Sequence, residues 1–557
     1  VSRFNTAKHQ PKPAVALATS PIATISRTPD TRTFEGAPGF TRTAKAELFL
    51  RATGGFHGGE ATFYESADKR DDRLRKLVRT VAIEDRQWCL DFATWLRGPG
   101  NIRTGALMFA VEFVHESLDI CDGVSDGLNR QIIDAVCQRP DEPGELLAIW
   151  TAWYGRKIPK PVKRGLADAV RRLYNGKSLL KYDTASKGYR FGDVLNLVHA
   201  TPDPAKPWQG ELFKYALDRR HNPDTATPPE SNRMLTAHKA LMALPVGERR
   251  AVILAPDGRD RLAEAGMTWE SLAGWLQGPM DKAAWESMIP SMGIMALIRN
   301  LRNFDQANVS DKAAQQIIAK LTDPDVIAKS RQFPFRFLSA YRATEGSLRW
   351  AYPLEQALGH SLRNVPSLGG CTLILVDRSP SMFPGCWGYA GKTGDEMSLA
   401  DKAAIFGAAL ALRAEKPTLV WFGGESAEVT VPKGISVLKL IERFGRSDGT
   451  DIPSAIKKHY ANHDRVVVVT DEQTRAGYFP SNMHPYGGMQ ETSIDALVPL
   501  NVPVFMWNLA GYTASAMPSG SNARFTLGGL TDKAFTLIPL LEAGASGVWP
   551  WQAQPAA

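Results

Sequence analysis

The sequence predicts a multidomain chain: an all-α array of stacked helix pairs, then an α/β, doubly wound domain. Three observations carry that expectation. The 557 residues exceed what one hydrophobic core serves. From about residue 44 to 345, apolar residues recur at three-to-four spacing, with no alternation of period two. From about residue 365, short β-branched runs alternate with helical stretches, the rhythm of a mostly parallel sheet covered on both faces.

Residues 1–43 carry no periodicity and are punctuated by Pro and Thr, so they are expected to form an extended or disordered arm. Its bases Arg3, Lys8 and Lys12 could touch a polyanion such as RNA, but a loose tail is the preferred reading. The helical domain is placed at 44–364. DRLRKLVRTVAIEDRQWCLDFATWLRG runs into a Gly-Pro-Gly stop, and NIRTGALMFAVEFVHESL follows as another helix. KRGLADAVRRLYNG, PWQGELFKYALDRR, MTWESLAGWLQG and MGIMALIRNLRNFD continue the rhythm, which suggests HEAT-like pairs without a strict repeat.

The α/β domain is placed at 365–557. Its expected strands are CTLILV, TLVWF, AEVTV, RVVVVT and VPVFMW. AEVTV follows TLVWF too closely for a crossover helix, so it is expected as an antiparallel edge strand.

Charge is distributed unevenly. The part from Asp377 onward carries −2, which leaves +10 on the rest of the chain. Arg156 to Asp193 alone holds 11 basic residues against three acidic ones, interleaved with Tyr, Phe and Asn, which points towards a polyanion rather than a merely solvated helix face. No run of about 18 apolar residues is present, so no membrane span is expected. Cys89, Cys121, Cys137, Cys371 and Cys386 are odd in number and lack zinc-ligand spacing, and no signal-peptide pattern opens the chain. A reducing, cytoplasmic location is expected.

Ligands of open α/β sheets collect beyond the carboxyl ends of the strands. Three oxygen-rich loops fall there: Asp377-Arg-Ser379-Pro-Ser381, Ser447-Asp-Gly-Thr450-Asp451 and Thr470-Asp471-Glu472. Carboxylates and hydroxyls in this combination form a hard donor set that suits Mg²⁺, with Mn²⁺ as the second choice. Each loop alone would serve equally as a helix cap; the order of all three on successive strands is the specific signal.

The D-x-S-x-S, Thr and Asp arrangement resembles the metal-ion-dependent adhesion site (MIDAS) of von Willebrand factor A (vWA) domains, which are Rossmann-like. Asp377, Ser379, Ser381, Thr450 and Asp471 match that motif. Pro380 and an insert at 383–396 depart from it. LFLRATGGFHGGEATFY, RKIPKPVKRGL, YRFGDVLNLVHATP, MALIRNLRNF and RQFPFRFLSAYRA resemble the TROVE module of the Ro60-like family, whose members join TROVE to vWA in this order.

The resemblance implies a HEAT-like helical ring with a basic hole that takes the 3′ single-stranded ends of misfolded noncoding RNAs, while Y-like RNAs bind the outer surface. It further implies RNA quality control or a ribonucleoprotein scaffold, an exoribonuclease tethered through RNA, and an acidic protein ligand at the metal site. Residues suited to phosphate are Lys157, Lys160, Lys163, Arg164, Arg171, Arg172, Lys177, Lys181, Lys187 and Arg190. His199 is a further RNA candidate, against the plain alternative of a packed histidine. Arg299, Asn300, Arg302 and Asn303 offer guanidinium forks and amides to phosphates and unpaired bases, or else end a helix favourably. Phe191 stands where a vertebrate relative has His, and is expected in the core rather than on a base.

Three functions compete at this level. The first is noncatalytic RNA binding. The second is metal-dependent adhesion or assembly through the vWA site, with an incidental basic patch. The third, a metal nuclease, is disfavoured because two-metal hydrolysis needs clustered carboxylates and this site offers chiefly two Asp.

Overall fold

Parallel strands need both faces buried, and the α/β unit meets that demand by alternation along each strand. The computed structural model describes residues 18–54, 64–120, 126–363, 365–383, 397–475, 493–529 and 532–552. Six strands form one sheet: β3 (Leu368–Asp377), β4 (Ala414–Phe422), β5 (Ser426–Val429), β6 (Arg465–Thr470), β7 (Val504–Asn508) and β9 (Arg524–Gly528), in the order β5-β4-β3-β6-β7-β9. All neighbours are parallel except β5, the antiparallel edge strand anticipated from its short connection.

Leu373 and Leu375 of β3 face Ile452 and Ile456 of the helix Ile452–His459, together with Val466 and Val468 of β6. Val376, of opposite parity, meets the helix Leu399–Arg413 on the other face. A Cβ on Gly407 there would lie 2.2 Å from Val376 Cγ2. Only glycine permits that approach.

The same unit takes in residues 18–54 and 64–77, a correction to the loose arm expected over 18–43 and to the first domain boundary. Residues 18–77 group with the α/β part, as do 332–342 and 354–557. Strands β1 (Thr31–Arg32) and β2 (Pro38–Thr41) pair with each other, and β2 pairs with β8 (Ala514–Ser515). Thr33 Oγ1 donates to the Thr474 carbonyl at 2.6 Å, and the Gln473 side chain accepts from Phe34 N at 2.9 Å. Runs of two and four residues are too short to show a period, and the partner strand lies more than 470 residues away in sequence. Arg3, Lys8 and Lys12 lie outside the described residues.

The second unit, residues 78–331 and 343–353, is helical throughout among its described residues. Several of its helices are capped as the sequence directs: Asp85, Asn175, Thr268, Asp281 and Ser310 each accept from a backbone N–H in the first turn of the helix they precede. Asn101 Nδ2 donates to the Arg331 carbonyl at 3.1 Å, so residues 230 apart in sequence meet within this unit. No helix among the described residues is long and apolar enough to cross a membrane.

Candidate functional site

The expected metal ligands are placed by the ends of two adjacent strands. Asp377 closes β3 and is fully buried; Ser379 is fully buried, and Ser381 is 8% exposed. Asp377 Oδ1 accepts from Ser379 N at 2.9 Å, which folds the loop back on itself, and Ser379 Oγ lies 3.2 Å from Ser381 Oγ. Pro380 starts a short 3₁₀ turn that sets this spacing.

The loop 447–451 is hydrogen-bonded to both neighbours. Ser447 N donates to the Arg378 carbonyl at 3.4 Å, and Arg475 N donates to the Thr450 carbonyl at 2.8 Å. Thr450 is buried, whereas Asp451 caps the following helix, its Oδ1 accepting from Ser454 N at 2.9 Å. Asp471 follows β6 and is fully buried; its Oδ1 accepts from Gln473 N at 3.0 Å.

Two buried carboxylates in one pocket repel each other. Burial and then the Asp377 charge push Asp471 up to about 8, with Ser381 opposing the shift by a hydrogen bond. Burial likewise raises Asp377, against the hydrogen bonds it accepts from Ser379 and Thr470. Thr470, which the sequence reading left out of the ligand set, donates from Oγ1 to Asp377 Oδ2 at 2.5 Å. Asp471 Oδ2 is buried with no well-formed hydrogen bond. An orphaned carboxylate oxygen beside a second carboxylate and two hydroxyls is the environment that a hard divalent cation relieves, so the donor set fits such an ion.

The site has further neighbours that sequence reasoning did not single out. Tyr64 Oη donates to Glu35 Oε1 at 2.9 Å, and Glu35 Oε2 pairs with Arg475 Nε at 3.0 Å. The Tyr64 ring stacks on Phe34 at 5.0 Å and meets Tyr512 edge-on. Burial, then the charges of Asp471 and Glu35, raise the phenol well above its ordinary value, and Ser381 within reach of it opposes the shift. Glu472 belongs to a different, structural network with Arg42, Asn508 and Ser515. Most of the insert, 384–396, lies outside the described residues; Phe383 sits under the guanidinium groups of Arg378 and Arg446, at 4.8 and 4.4 Å.

The fifteen RNA candidates, all in the helical unit, divide by what already binds them. Lys187 pairs with Asp141 and Glu145, and Arg190 with Asp183 at 2.8 Å. Arg172 bonds Asp134 at 2.7 Å and the Cys137 carbonyl, while Arg171 donates to the Thr201 carbonyl at 2.8 Å. These four tie helices together. Asn300 is 2% exposed and bonds its own helix, accepting in turn from Asn303. Phe191 is buried and stacks on Tyr174 at 3.7 Å, as expected.

Lys157, Lys160, Arg164, Lys177, Lys181, Arg299, Arg302 and Asn303 are exposed, and Lys163 is half-buried. His199 is exposed too, ending the helix Phe191–Val198 in a left-handed conformation at φ 53°, which differs from the packed histidine weighed against RNA contact. Arg299 and Arg302 lie within the helix Ile294–Gln306, whose last turn holds no basic residue, so their placement is not a helix-end effect.

The helix Lys160–Leu173 concentrates the available charge at its start. Lys160, Lys163 and Arg164 fill the first turns, no acidic residue is there, and Pro159 supplies no side-chain cap. Cations beside the positive end of a helix dipole are unfavourable for the fold alone and favourable once an anion arrives.

Residues 259–351 match the TROVE domain model. Over 183 residues the chain is 27% identical to the RNA-binding protein RO60 of Caenorhabditis elegans, covering 30% of this chain and 27% of that relative. The match therefore spans about a quarter of that relative's length. The fold is similar to the crystal structure of the Deinococcus radiodurans RO (RSR) protein, with a TM-score of 0.58 and 16% identity, over 90% of this chain and all of the other. The chain thus carries sequence matching the TROVE model at 259–351 and has a fold similar to that of a Ro protein.

Proposed function

We propose that this protein binds noncoding RNA without transforming it. Structured, Y-like RNAs lie on the outside of the helical unit, and unpaired 3′ ends of misfolded RNAs enter a hole in the array, as in RNA quality control or a ribonucleoprotein scaffold. The observation that carries the reading is the uncapped start of the helix Lys160–Leu173 with Lys160, Lys163 and Arg164 around it. Phosphate oxygens satisfy both the orphan N–H groups and the cations. The matched relative's name, an RNA-binding protein, and the meeting of Asn101 with Arg331 support the same reading. An exoribonuclease reaches such a complex through the bound RNA.

The metal site serves assembly in this reading. Asp377, Ser379, Ser381, Thr450 and Asp471 hold Mg²⁺ or Mn²⁺, and a protein ligand docks there through an acidic side chain. The test is filter binding of a hairpin RNA, with and without a single-stranded 3′ tail, at several salt concentrations. The triple variant K160A/K163A/R164A should bind more weakly and with a salt slope shallower by about 2 to 3, since each lost phosphate contact removes roughly 0.7 (single strand) to 0.9 (duplex) from it. Tailed RNA should outcompete blunt RNA for the intact protein. An unchanged slope moves the RNA surface elsewhere, and equal binding of tailed and blunt RNA removes threading.

A further inference from the structure

A hard divalent cation takes six oxygens, and Mg²⁺ keeps water on those the protein leaves open. The loops after β3 and β6, with Thr450, supply five candidate donors, so the remaining side of the pocket decides what else the ion meets. Among the described residues, Glu35 and Tyr64 lie towards that side. The Tyr64 phenol, within reach of Ser381 and of the Asp471 charge, donates at 2.9 Å to Glu35 Oε1. Arg475, whose backbone N–H holds the Thr450 carbonyl at 2.8 Å, grips the other oxygen of Glu35 at 3.0 Å.

This arrangement is built rather than incidental. The segment that carries Glu35 is fastened along the loop after Asp471 by Thr33, by Phe34 N and by a bridge between Gly36 and Arg475. Tyr64 is wedged between Phe34 and Tyr512. A carboxylate, the side chain a hard cation attracts most, is thus part of the chain itself and is held beside the ligand set by two donors.

We propose that Glu35 and Tyr64 belong to the metal site as its internal cover, so that an external carboxylate reaches the bound ion only in competition with Glu35. The proposal rests on the reading that Asp377 and its neighbours bind a divalent ion. Removing the Glu35 charge removes both the competitor and its repulsion of an incoming acid. Phenylalanine at 64 releases Glu35 from one of its two holders while keeping the ring stack.

The probe is acetate, added to the full-length chain saturated with Mn²⁺, with paramagnetic broadening of the acetate resonance as the readout and calorimetric Mn²⁺ affinity beside it. Glu35→Gln should tighten acetate binding by about tenfold, the scale of one like charge at close range, and Tyr64→Phe should shift it in the same direction. Asp377→Ala should abolish Mn²⁺ binding. If Asp377→Ala abolishes it while the wild type broadens acetate as strongly as Glu35→Gln and Tyr64→Phe do, the cover is wrong and the metal reading stands. If Asp377→Ala binds Mn²⁺ like the wild type, the metal reading fails and the proposal with it. Either variant suffices should the other fold poorly, because each loosens the same hydrogen bond.

Discussion

Arg42 and Glu472 form an ion pair at 2.8 Å with both side chains buried, linking the N-terminal segment to the loop after β6. The remaining capacity of Glu472 is used by Asn508 Nδ2 at 2.9 Å, Ser515 Oγ at 2.9 Å and Ala516 N at 3.0 Å. Arg42 Nη1 donates to the Tyr512 carbonyl at 2.5 Å. Breaking such a pair leaves an uncompensated buried charge. Arg42→Ala should therefore destabilise the α/β unit by about 3–5 kcal/mol, measured by urea denaturation of the full chain. A loss under 1 kcal/mol would mean that water reaches Glu472.

The hydrogen bonds of Arg171 and Arg172 separate stability from RNA affinity. Arg171→Ala with Arg172→Ala should lower the thermal midpoint of the helical unit and leave the RNA salt slope nearly unchanged, because both guanidiniums already serve Thr201, Asp134 and Cys137. The slope should respond instead to Lys163 and Arg164. A large slope change from the Arg171 and Arg172 pair alone would show that these arginines leave their internal partners for phosphate.

Asp141 makes the helical unit acid-sensitive. Burial opposes its charge, but hydrogen bonds and attraction from Arg139, with Arg103 and Lys187 beside them, hold the carboxyl well below the ordinary range. A depressed folded value means that the stabilisation is complete above the unfolded value near 4 and is lost as pH falls below it. Asp141→Asn should flatten that acid limb and cost about 1–3 kcal/mol at neutral pH, because partly exposed cations lose one charged hydrogen-bond partner while Arg103 and Lys187 keep Glu145. Circular dichroism melts between pH 2 and 7 decide the matter; parallel curves for both proteins would refute it.

Gly407 tests the packing under the loop that follows Asp377. Alanine there would drive its methyl into Val376, one residue before Asp377. Overpacking of this kind costs about 1–3 kcal/mol. Gly407→Ala should lower stability and weaken Mn²⁺ binding together; full stability would show that the helix Leu399–Arg413 can slide.

Asp377→Ala separates the metal from the RNA surface, since the fifteen RNA candidates between Lys157 and Asn303 all lie in the helical unit. It should abolish Mg²⁺ and Mn²⁺ binding in calorimetry and leave filter-bound RNA affinity unchanged. Loss of RNA binding with the fold intact would put the metal on the RNA surface.

The periodicities and strand-end loops were legible in the sequence because they are local. Three-to-four spacing reported the helices, and runs such as RVVVVT reported strands that are buried on both faces along their whole length. The order of Asp377, Thr450 and Asp471 on successive loops reported a pocket, since parallel connections bring strand carboxyl ends to one edge. The short strands β1, β2, β8 and β9 were not legible; two to five residues show no period, and their partners are chosen by the fold.

Charge type was legible, but not availability. Lys160 and Lys187 look alike in a basic window, yet the first stands exposed at an uncapped helix start and the second is held by Asp141 and Glu145. Which cation remains for a ligand depends on acids brought in by other helices, over forty residues away for Lys187. Glu35 and Tyr64 follow the same rule: 29 residues apart, they meet because the pairing of β2 with β8 and the bridge from Gly36 to Arg475 hold that segment along the loop after β6. Side-chain chemistry and short-range period belong to the sequence; who neighbours whom across hundreds of residues is decided by tertiary burial, which rewards whichever pairing leaves the fewest polar groups unsatisfied.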